Sequence, residues 1–254
     1  MDLTMPIEPL EVSSVSPEWN AKLAELVVHI RGRADRFVFL CGGAADMDTE
    51  RYQPALAMFD ALAQLPLDGY RLAVGDGGTR VGIMAAAGRA RHASGNRFVL
   101  IGVAPAVDVP PRGTTPTDPN HSHIVTVADP SAPAVDAWGT ETETMYWLFA
   151  RIAAGRPSVA VLLNGGKIAL KEVQANVEAG RVVITVEGSG RAADALACLV
   201  KGRAAVDGET ADLCRHAQSL GLPGHPELFR VLPLAAGAKG LRDAIVDVIG
   251  EVQS

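Results

Sequence analysis

The residues best suited to chemistry are glycines that follow short apolar runs, and the clearest example lies at 181–201. Val182 to Val186 is a nearly continuous β-branched run, which is typical of a strand buried on both faces. A Gly188-Ser189-Gly190 turn follows, and apolar residues then recur at helical spacing from Arg191 to Val200. Glycine lets a ligand approach the backbone, and the first N–H groups of a helix attract anions. Alone, this stretch indicates a phosphate site or a structural turn with about equal weight.

Three further predicted strands also end in glycine clusters. The clusters are Gly42-Gly43, Gly75-Asp76-Gly77-Gly78-Thr79 and Asn164-Gly165-Gly166. In an open parallel sheet such turns lie along one edge, where ligands bind near the point at which the strand order reverses. Four such strand ends favour a phosphate-bearing ligand by roughly three to one over purely structural turns. The glycine spacing matches neither the Walker nor the dinucleotide-binding Rossmann pattern.

Polar side chains accompany these glycines, and each has two explanations. Ser189 and Arg191 would either hold a pyrophosphate or stabilise their turn. Asp76 and Asp194 would either accept hydrogen bonds from ribose hydroxyls or serve the local backbone. Thr79 is placed to cap the helix that follows it.

Two histidines stand close together after a segment rich in proline. His121 and His123 are two residues apart, so both face one side of a strand. Because no third metal-type ligand lies nearby in the sequence, we expect them, with Asn120, to make hydrogen bonds or contact a ligand. No metal site and no cofactor are expected.

Composition narrows the class of protein. Among 254 residues, 48% are hydrophobic, 5% are aromatic and 26 are glycine, which is typical of a parallel sheet covered by helices. The net charge of −6 gives no reason to expect nucleic-acid binding. Three cysteines at unrelated spacings indicate reduced thiols in a cytoplasmic protein. We expect no membrane span and no signal peptide.

The order of elements predicts the fold class. Apolar runs with strand character alternate with helical patterns, so we predict an α/β fold with a mostly parallel sheet of about seven strands and helices on both faces. We expect one domain over 1–254, with an arm at 1–17 and a proline-rich loop at 104–120. Residues 16–18 are expected to start the first helix, 52–65 to form one helix, and Thr140 with Glu143 to form a capping box.

Two motifs carry a resemblance to a known family. The runs DPNHSH at 118–123 and VEGSGRAAD at 186–194, in this order, resemble the amino-terminal cytosolic domain of TRPM (melastatin-type) cation channels. The GDGGT run at 75–79 is similar to the glycine-rich turn of that domain, and the likeness covers roughly 37–200. The resemblance implies a free-standing prokaryotic member of the SLOG superfamily, in its TRPM-type (LSDAT) branch. The resemblance further implies a Rossmann-like three-layer sandwich that binds ADP-ribose, cyclic ADP-ribose or a related nucleotide.

The superfamily also contains the LOG phosphoribohydrolases, and they supply the alternative function. Their P-G-G-x-G-T-x-x-E motif is matched at 164–172 by the two glycines and by Glu172, but not by the leading proline or the G-T pair. We therefore expect ligand binding without turnover, and keep as the alternative a nucleoside-monophosphate N-glycosidase that uses Glu172. A domain that only binds a protein partner is a third class.

The expected ligand-binding set combines the glycine turns with their polar neighbours. Its members are Gly42, Gly43, Gly75, Asp76, Gly77, Gly78, Thr79, Asn120, His121, Asn164, Gly165, Gly166, Gly188, Ser189, Gly190, Arg191 and Asp194. The partner expected is a nucleotide-type small molecule and neither nucleic acid nor membrane. The small-residue helix at 81–93 is compatible with self-association.

Overall fold

A single sheet of eight parallel strands organises the chain. The computed structural model describes residues 9–13, 21–43, 47, 49–134, 136–204 and 208–250. The strands are β1 (Leu10–Ser13), β2 (Arg36–Gly43), β3 (Leu72–Asp76), β4 (Val99–Pro105), β5 (His123–Ala128), β6 (Ser158–Asn164), β7 (Val182–Glu187) and β8 (Phe229–Pro233). Their spatial order is β1-β5-β4-β3-β2-β6-β7-β8, and every neighbouring pair is parallel.

Helices cover both faces of this sheet. They are α1 (Ala21–Arg33), α2 (Thr49–Ala57), α3 (Asp60–Gln64), α4 (Gly82–Ala93), α5 (Thr142–Ala153), α6 (Lys167–Glu178), α7 (Arg191–Val200), α8 (Gly208–Ser219) and α9 (Gly237–Ile249). The buried side chains of α1, α5, α6, α7 and α8 share one apolar core, and those of α2, α3, α4 and α9 share the other. The predicted α/β sandwich with a Rossmann-like parallel sheet is confirmed.

Alternation along β2 explains the two cores. Phe37, Phe39 and Cys41 face one core, while Val38 and Leu40 face the other, and all five are buried. Successive side chains of a strand point to opposite faces, so a strand between two helical layers needs apolar residues at every position. This requirement explains why the strands appear in the sequence as nearly continuous apolar runs.

The strand order reverses between β2 and β6. From β2 the chain adds β3, β4 and β5 on one side, and it then returns to add β6, β7 and β8 on the other. The carboxyl ends of β2 and β6 are adjacent, with Gly43 opposite Asn164 in the register. The connections that leave these two ends run in opposite directions, which opens a crevice between them.

Three local predictions from the sequence have different outcomes. The arm predicted at the amino terminus contains β1, because Leu10–Ser13 pairs through its backbone with Val125–Ala128 and is too short to show a hydropathy period. The helix predicted at 52–65 is interrupted by a turn at residues 58–59. The predicted helix start at 16–18 lies outside the described residues.

The predicted capping box at α5 is also wrong. The helix begins at Thr142 with Glu141 as its N-cap, and no side chain caps it. Thr140 instead donates its hydroxyl hydrogen to the carbonyl of Ala137 at 2.8 Å, and Glu143 is exposed. Glu141, directly before the helix, accepts the backbone N–H of Gly139 through Oε2 at 2.8 Å.

The proline-rich segment is fastened to the turn after β3. Thr79 and Thr117 form an antiparallel bridge, and the N–H of Asp118 donates to the carbonyl of Gly78 at 3.0 Å. The Asp118 carboxylate then lies against Gly88 of α4, where an added Cβ would be 2.4 Å from Oδ1. Glycine at position 88 therefore lets helix and loop approach closely.

No helix in the described part of the chain combines the length and the apolar character that a membrane crossing requires.

We predict opposite effects for two glycine-to-alanine changes within helices. Gly88→Ala should lower the free energy of unfolding by roughly 1–3 kcal/mol, because the new methyl group overlaps the Asp118 carboxylate. Gly32→Ala in α1 meets nothing within 4 Å and should be neutral or stabilising by up to about 1 kcal/mol. Urea unfolding of both variants measures the difference, and equal stabilities would contradict the close contact.

Candidate functional site

A crevice lies between the carboxyl ends of β2 and β6, at the reversal of strand order. Its cavity measures about 300 Å³. The lining residues come from the ends of β2 and β6, from the turn after β3, from α4 and α6, from the start of α7 and from the segment before α5: Leu40, Gly42, Gly43, Gly77, Met84, Trp138, Glu141, Asn164, Gly165, Gly166, Ile168, Ala169, Glu172 and Arg191.

The floor of the crevice is backbone in left-handed conformations. Gly42, Asn164 and Gly165 have φ values of 105°, 52° and 82°. At Gly42 an added Cβ would lie 2.2 Å from the carbonyl oxygen of Leu163, so only glycine fits. Asn164 is not glycine, and left-handed backbone in such a residue is typical of functional sites and is held by its surroundings. Its backbone N–H donates to the Ser189 hydroxyl at 2.8 Å.

The amino-terminal end of α6 opens onto this floor. Gly166 is its N-cap, and no side chain caps the helix. The N–H groups of a first helical turn have no partner within the helix and carry partial positive charge. Gly166 and Ala169 both line the cavity, so this turn faces the crevice.

Arg191 supplies a full positive charge at the same place. It is the first residue of α7, its φ is 45°, and its side chain is 25% exposed. Its guanidinium lies over Gly166, since an added Cβ there would be 3.3 Å from Nη2. Its Nε donates to Oε1 of Glu209 at 2.7 Å.

Two carboxyl groups share the cavity. Glu141 and Glu172 both line it, and Oε2 of Glu172 accepts the backbone N–H of Gly42 at 3.2 Å. Burial and the charge of Asp108 raise the pKa of Glu141 to about 7. Burial and the charges of Glu141 and Asp76 raise the pKa of Glu172 to about 8. Near neutral pH much of this pair is therefore protonated and can donate hydrogen bonds.

The remaining wall is apolar and includes one aromatic ring. Leu40, Met84 and Ile168 lie with Trp138 around the cavity. Asp108 fixes the segment that carries the tryptophan, because its carboxylate accepts the N–H groups of Asp136 and Ala137 at 2.8 and 2.7 Å. The proline-rich segment thus shapes the crevice through Asp108.

The DPNHSH motif does not line the crevice; it forms a buried clamp beneath the turn after β3. Nε2 of His121 is 2.8 Å from Oδ1 of Asp76, and its Nδ1 is 3.7 Å from Oδ1 of Asp118. The same Asp76 oxygen accepts the N–H of Gly78 at 2.7 Å. Burial disfavours the charged imidazole, but the two carboxylates outweigh it and raise the pKa of His121 to about 9. The clamp is an imidazolium between two carboxylates.

In the second motif, GSGRAAD, two polar side chains form hydrogen bonds with the backbone of the motif's own turn. Ser189 donates its hydroxyl hydrogen to the carbonyl of Val186 at 2.6 Å, and Asp194 accepts the N–H of Gly188 at 2.6 Å. Because Ser189 also accepts the N–H of Asn164, this turn holds the end of β6 in place. Arg191 is the residue of this motif that lines the crevice, while Ser189 and Asp194 hold the neighbouring backbone in place.

The structure divides the predicted site residues into two groups. Those that line the crevice are Gly42, Gly43, Gly77, Asn164, Gly165, Gly166, Glu172 and Arg191. Those that are not among the lining residues are Gly75, Asp76, Gly78, Thr79, Asn120, His121, Gly188, Ser189, Gly190 and Asp194. Gly75 packs under the Phe149 ring, which an added Cβ would approach to 2.5 Å.

Sequence reasoning missed the residues that close the crevice from the side. Trp138 and Glu141 lie in a stretch without hydropathy periodicity, and Glu141 stands inside the segment interpreted as a capping box. One signal was present: an acid three residues after one of only three tryptophans, directly before a helix. In the described part of the chain, no three His, Cys, Asp or Glu side chains converge as a metal site.

Comparison with known protein families identifies one that matches this chain. The model of a family described as SLOG in TRPM, prokaryote, matches residues 36–227, which is more than half of the 254-residue chain. The match includes β2, β6 and α7, and hence the whole crevice. No curated protein matches the chain.

The charged clamp predicts a pH-dependent stability. His121 has a folded-state pKa of about 9, above its ordinary value of 6.5, so its stabilising contribution is complete below pH 6.5 and is lost as pH rises through 9. The difference in unfolding free energy between wild type and His121→Gln should therefore shrink by up to about 3 kcal/mol between pH 6 and pH 10.

The exposed His225 provides the matched control for this clamp. His225→Gln should show no comparable trend, since its side chain is 53% exposed. Guanidinium unfolding at several pH values measures both differences, and a constant gap for His121→Gln would show that the histidine is neutral.

Proposed function

The chain belongs to the family described as SLOG in TRPM, prokaryote, and from this membership and the crevice we propose that it binds ADP-ribose or a related cyclic nucleotide. The family match confirms the resemblance seen in the DPNHSH and GSGRAAD runs. The observation that carries the proposal is the coincidence, in one cavity, of a helix amino terminus, an arginine and an aromatic wall at the reversal of strand order.

The phosphates are assigned to the floor of the crevice. The first turn of α6 offers backbone N–H groups, and Arg191 offers a guanidinium that can bind phosphate oxygens in a bidentate way. The glycines at 42, 43, 165 and 166 leave no side chain between this backbone and a ligand. These are the groups that a diphosphate needs.

The base is assigned to the apolar wall. Trp138 can stack on a purine ring, and Leu40, Met84 and Ile168 enclose it. The two carboxyl groups are compatible with an anionic ligand, because their raised pKa values leave much of the pair uncharged near neutral pH. In that form they can donate hydrogen bonds to ribose or phosphate oxygens.

The proposal extends to the domain organisation, the location and the class of partner. We take the protein to act as one domain over 1–254, since the described strands form one sheet. We propose a cytoplasmic location, since no disulfide links Cys41, Cys198 and Cys214. The net charge of −6 supports a small-molecule partner over nucleic acid. Self-association through α4 is kept as a further proposal.

The binding proposal predicts that filling the crevice abolishes binding. Gly43 lines the cavity and has nothing within 4 Å of an added Cβ, so Gly43→Leu should fold normally and occupy the ligand's space. In the wild type, ADP-ribose at ~100 times its Kd should stabilise the fold by about 2.7 kcal/mol, which is measurable as a thermal shift. In Gly43→Leu that shift should disappear.

The control is an equal change at a glycine far from the crevice. Gly224 is exposed and also has open space around it, so Gly224→Leu should keep the full thermal shift. The proposal fails if the wild type shows no shift with ADP-ribose or its cyclic relatives, or if both leucine variants respond equally.

A second candidate function is hydrolysis of an N-glycosidic bond, and the two carboxyl groups are the observation that favours it. A protonated carboxyl can donate its proton to a departing base, and an ionised carboxylate can activate water. Glu172 and Glu141, with pKa values raised to about 8 and about 7, can share these roles near neutral pH. Glu172 is also the residue that matches the final glutamate of the LOG motif.

Base release from AMP tests this candidate. If the protein hydrolyses AMP, Glu172→Gln should reduce the rate by roughly 100-fold or more, because it removes a proton-transfer group. Glu178→Gln, an exposed change on the same helix, should leave the rate unchanged. The candidate is excluded if chromatography detects no free adenine with wild-type protein, or if both variants are equally active.

A further inference from the structure

A second cavity adjoins the crevice on the side of α8. It measures about 500 Å³ and shares Gly166, Ile168 and Arg191 with the crevice as lining residues. Its other polar lining residues are Lys167, at the start of α6, and Glu209 with Asp212, on α8. The two cavities are therefore neighbours, and the residues between them include the arginine assigned to phosphate.

Arg191 is held between the cavities by contacts on two sides. Its guanidinium lies over the glycine at 166, where any side chain would crowd it, and its Nε donates to Glu209 at 2.7 Å. Its backbone is left-handed, with a φ of 45°, at the first position of α7. Strained backbone of this kind persists only where the surroundings hold it, so the position of the guanidinium is specified by the fold.

The charges in the second cavity differ from those in the crevice. Lys167 and Arg191 balance Glu209 and Asp212, and the Asp212 carboxylate also pairs with Arg215. Carboxylates accept hydrogen bonds from hydroxyl groups and repel phosphates, so this cavity suits a neutral, hydroxyl-rich group. A sugar with vicinal hydroxyls has that chemistry.

The volume of the crevice also indicates that a nucleotide carrying a second sugar needs further space. At about 300 Å³ it lies at the lower end of ligand-pocket volumes, which suits one nucleotide more than a nucleotide carrying a second sugar. A ligand whose phosphate contacts Arg191 from the crevice could extend past that residue into the space beside α8, because Arg191 lines both cavities. The geometry supplies that space.

We infer that the cavity beside α8 is a second subsite, which holds the sugar linked to the distal phosphate of a nucleoside diphosphate sugar. The inference rests on the proposed function, since the nucleotide half is assigned to the crevice. It goes further by assigning Glu209 and Asp212 to the distal sugar. It also makes Arg191 the group that contacts the phosphates joining the two halves.

Calorimetric titration with ADP and with ADP-ribose tests the subsite. Wild-type protein should bind ADP-ribose roughly tenfold more tightly than ADP, because only ADP-ribose reaches the second cavity. Asp212 is 62% exposed and lines that cavity, so Asp212→Phe should fold and fill it. This variant should bind ADP as the wild type does and lose the preference for ADP-ribose.

Asp247→Phe, at an exposed position on α9, is the matched control and should keep the preference. The subsite is overturned if wild type binds ADP and ADP-ribose equally, if Asp212→Phe keeps the preference, or if it weakens ADP as much as ADP-ribose. The first two results leave the proposed function intact when both ligands bind. Failure of both ligands to bind wild-type protein would instead remove the proposed function, and the subsite with it.

Discussion

The close pairing of the ends of β2 and β6 is the constraint on which the crevice depends. Gly42 approaches the Leu163 carbonyl so closely that a Cβ would lie 2.2 Å from its oxygen, and Gly43 lies opposite Asn164 in the register. Because the strand order reverses here, the connections that follow β2 and β6 run in opposite directions. A crevice floored by bare backbone is the consequence, and the amino-terminal end of α6, the helix that follows β6, opens onto it.

The charges buried within the fold are separate from the charges at the crevice. Beneath the turn after β3, an imidazolium between Asp76 and Asp118 is fully buried and serves the fold. At the crevice itself, Arg191 remains partly exposed, while much of the Glu141–Glu172 pair is protonated near neutral pH. An anionic ligand therefore meets positive charge and hydrogen-bond donors, although the chain as a whole carries a net charge of −6.

Much of this arrangement was predictable from the sequence, and the limits have physical causes. Glycine clusters after apolar runs predicted four strand ends at the ligand-binding edge, and two of them form the floor, because glycine at a strand end reports a local backbone requirement. The direction in which a polar side chain points depends on residues far along the chain. The Asp76 carboxylate points into the fold, where it pairs with His121, 45 residues later. Trp138 and Glu141 reach the crevice because Asp108 fixes their segment, which no periodicity reports. Asp194 looked like a ribose acceptor, but its carboxylate accepts the N–H of Gly188.

A crystal structure of the protein with ADP-ribose tests the central claim most directly. We predict that the diphosphate lies against the first turn of α6 and Arg191, with the adenine beside Trp138. Density for the ligand in another cavity, such as the one lined by His29 and His123, would contradict the account. So would crystals that stay empty after soaking with ADP-ribose.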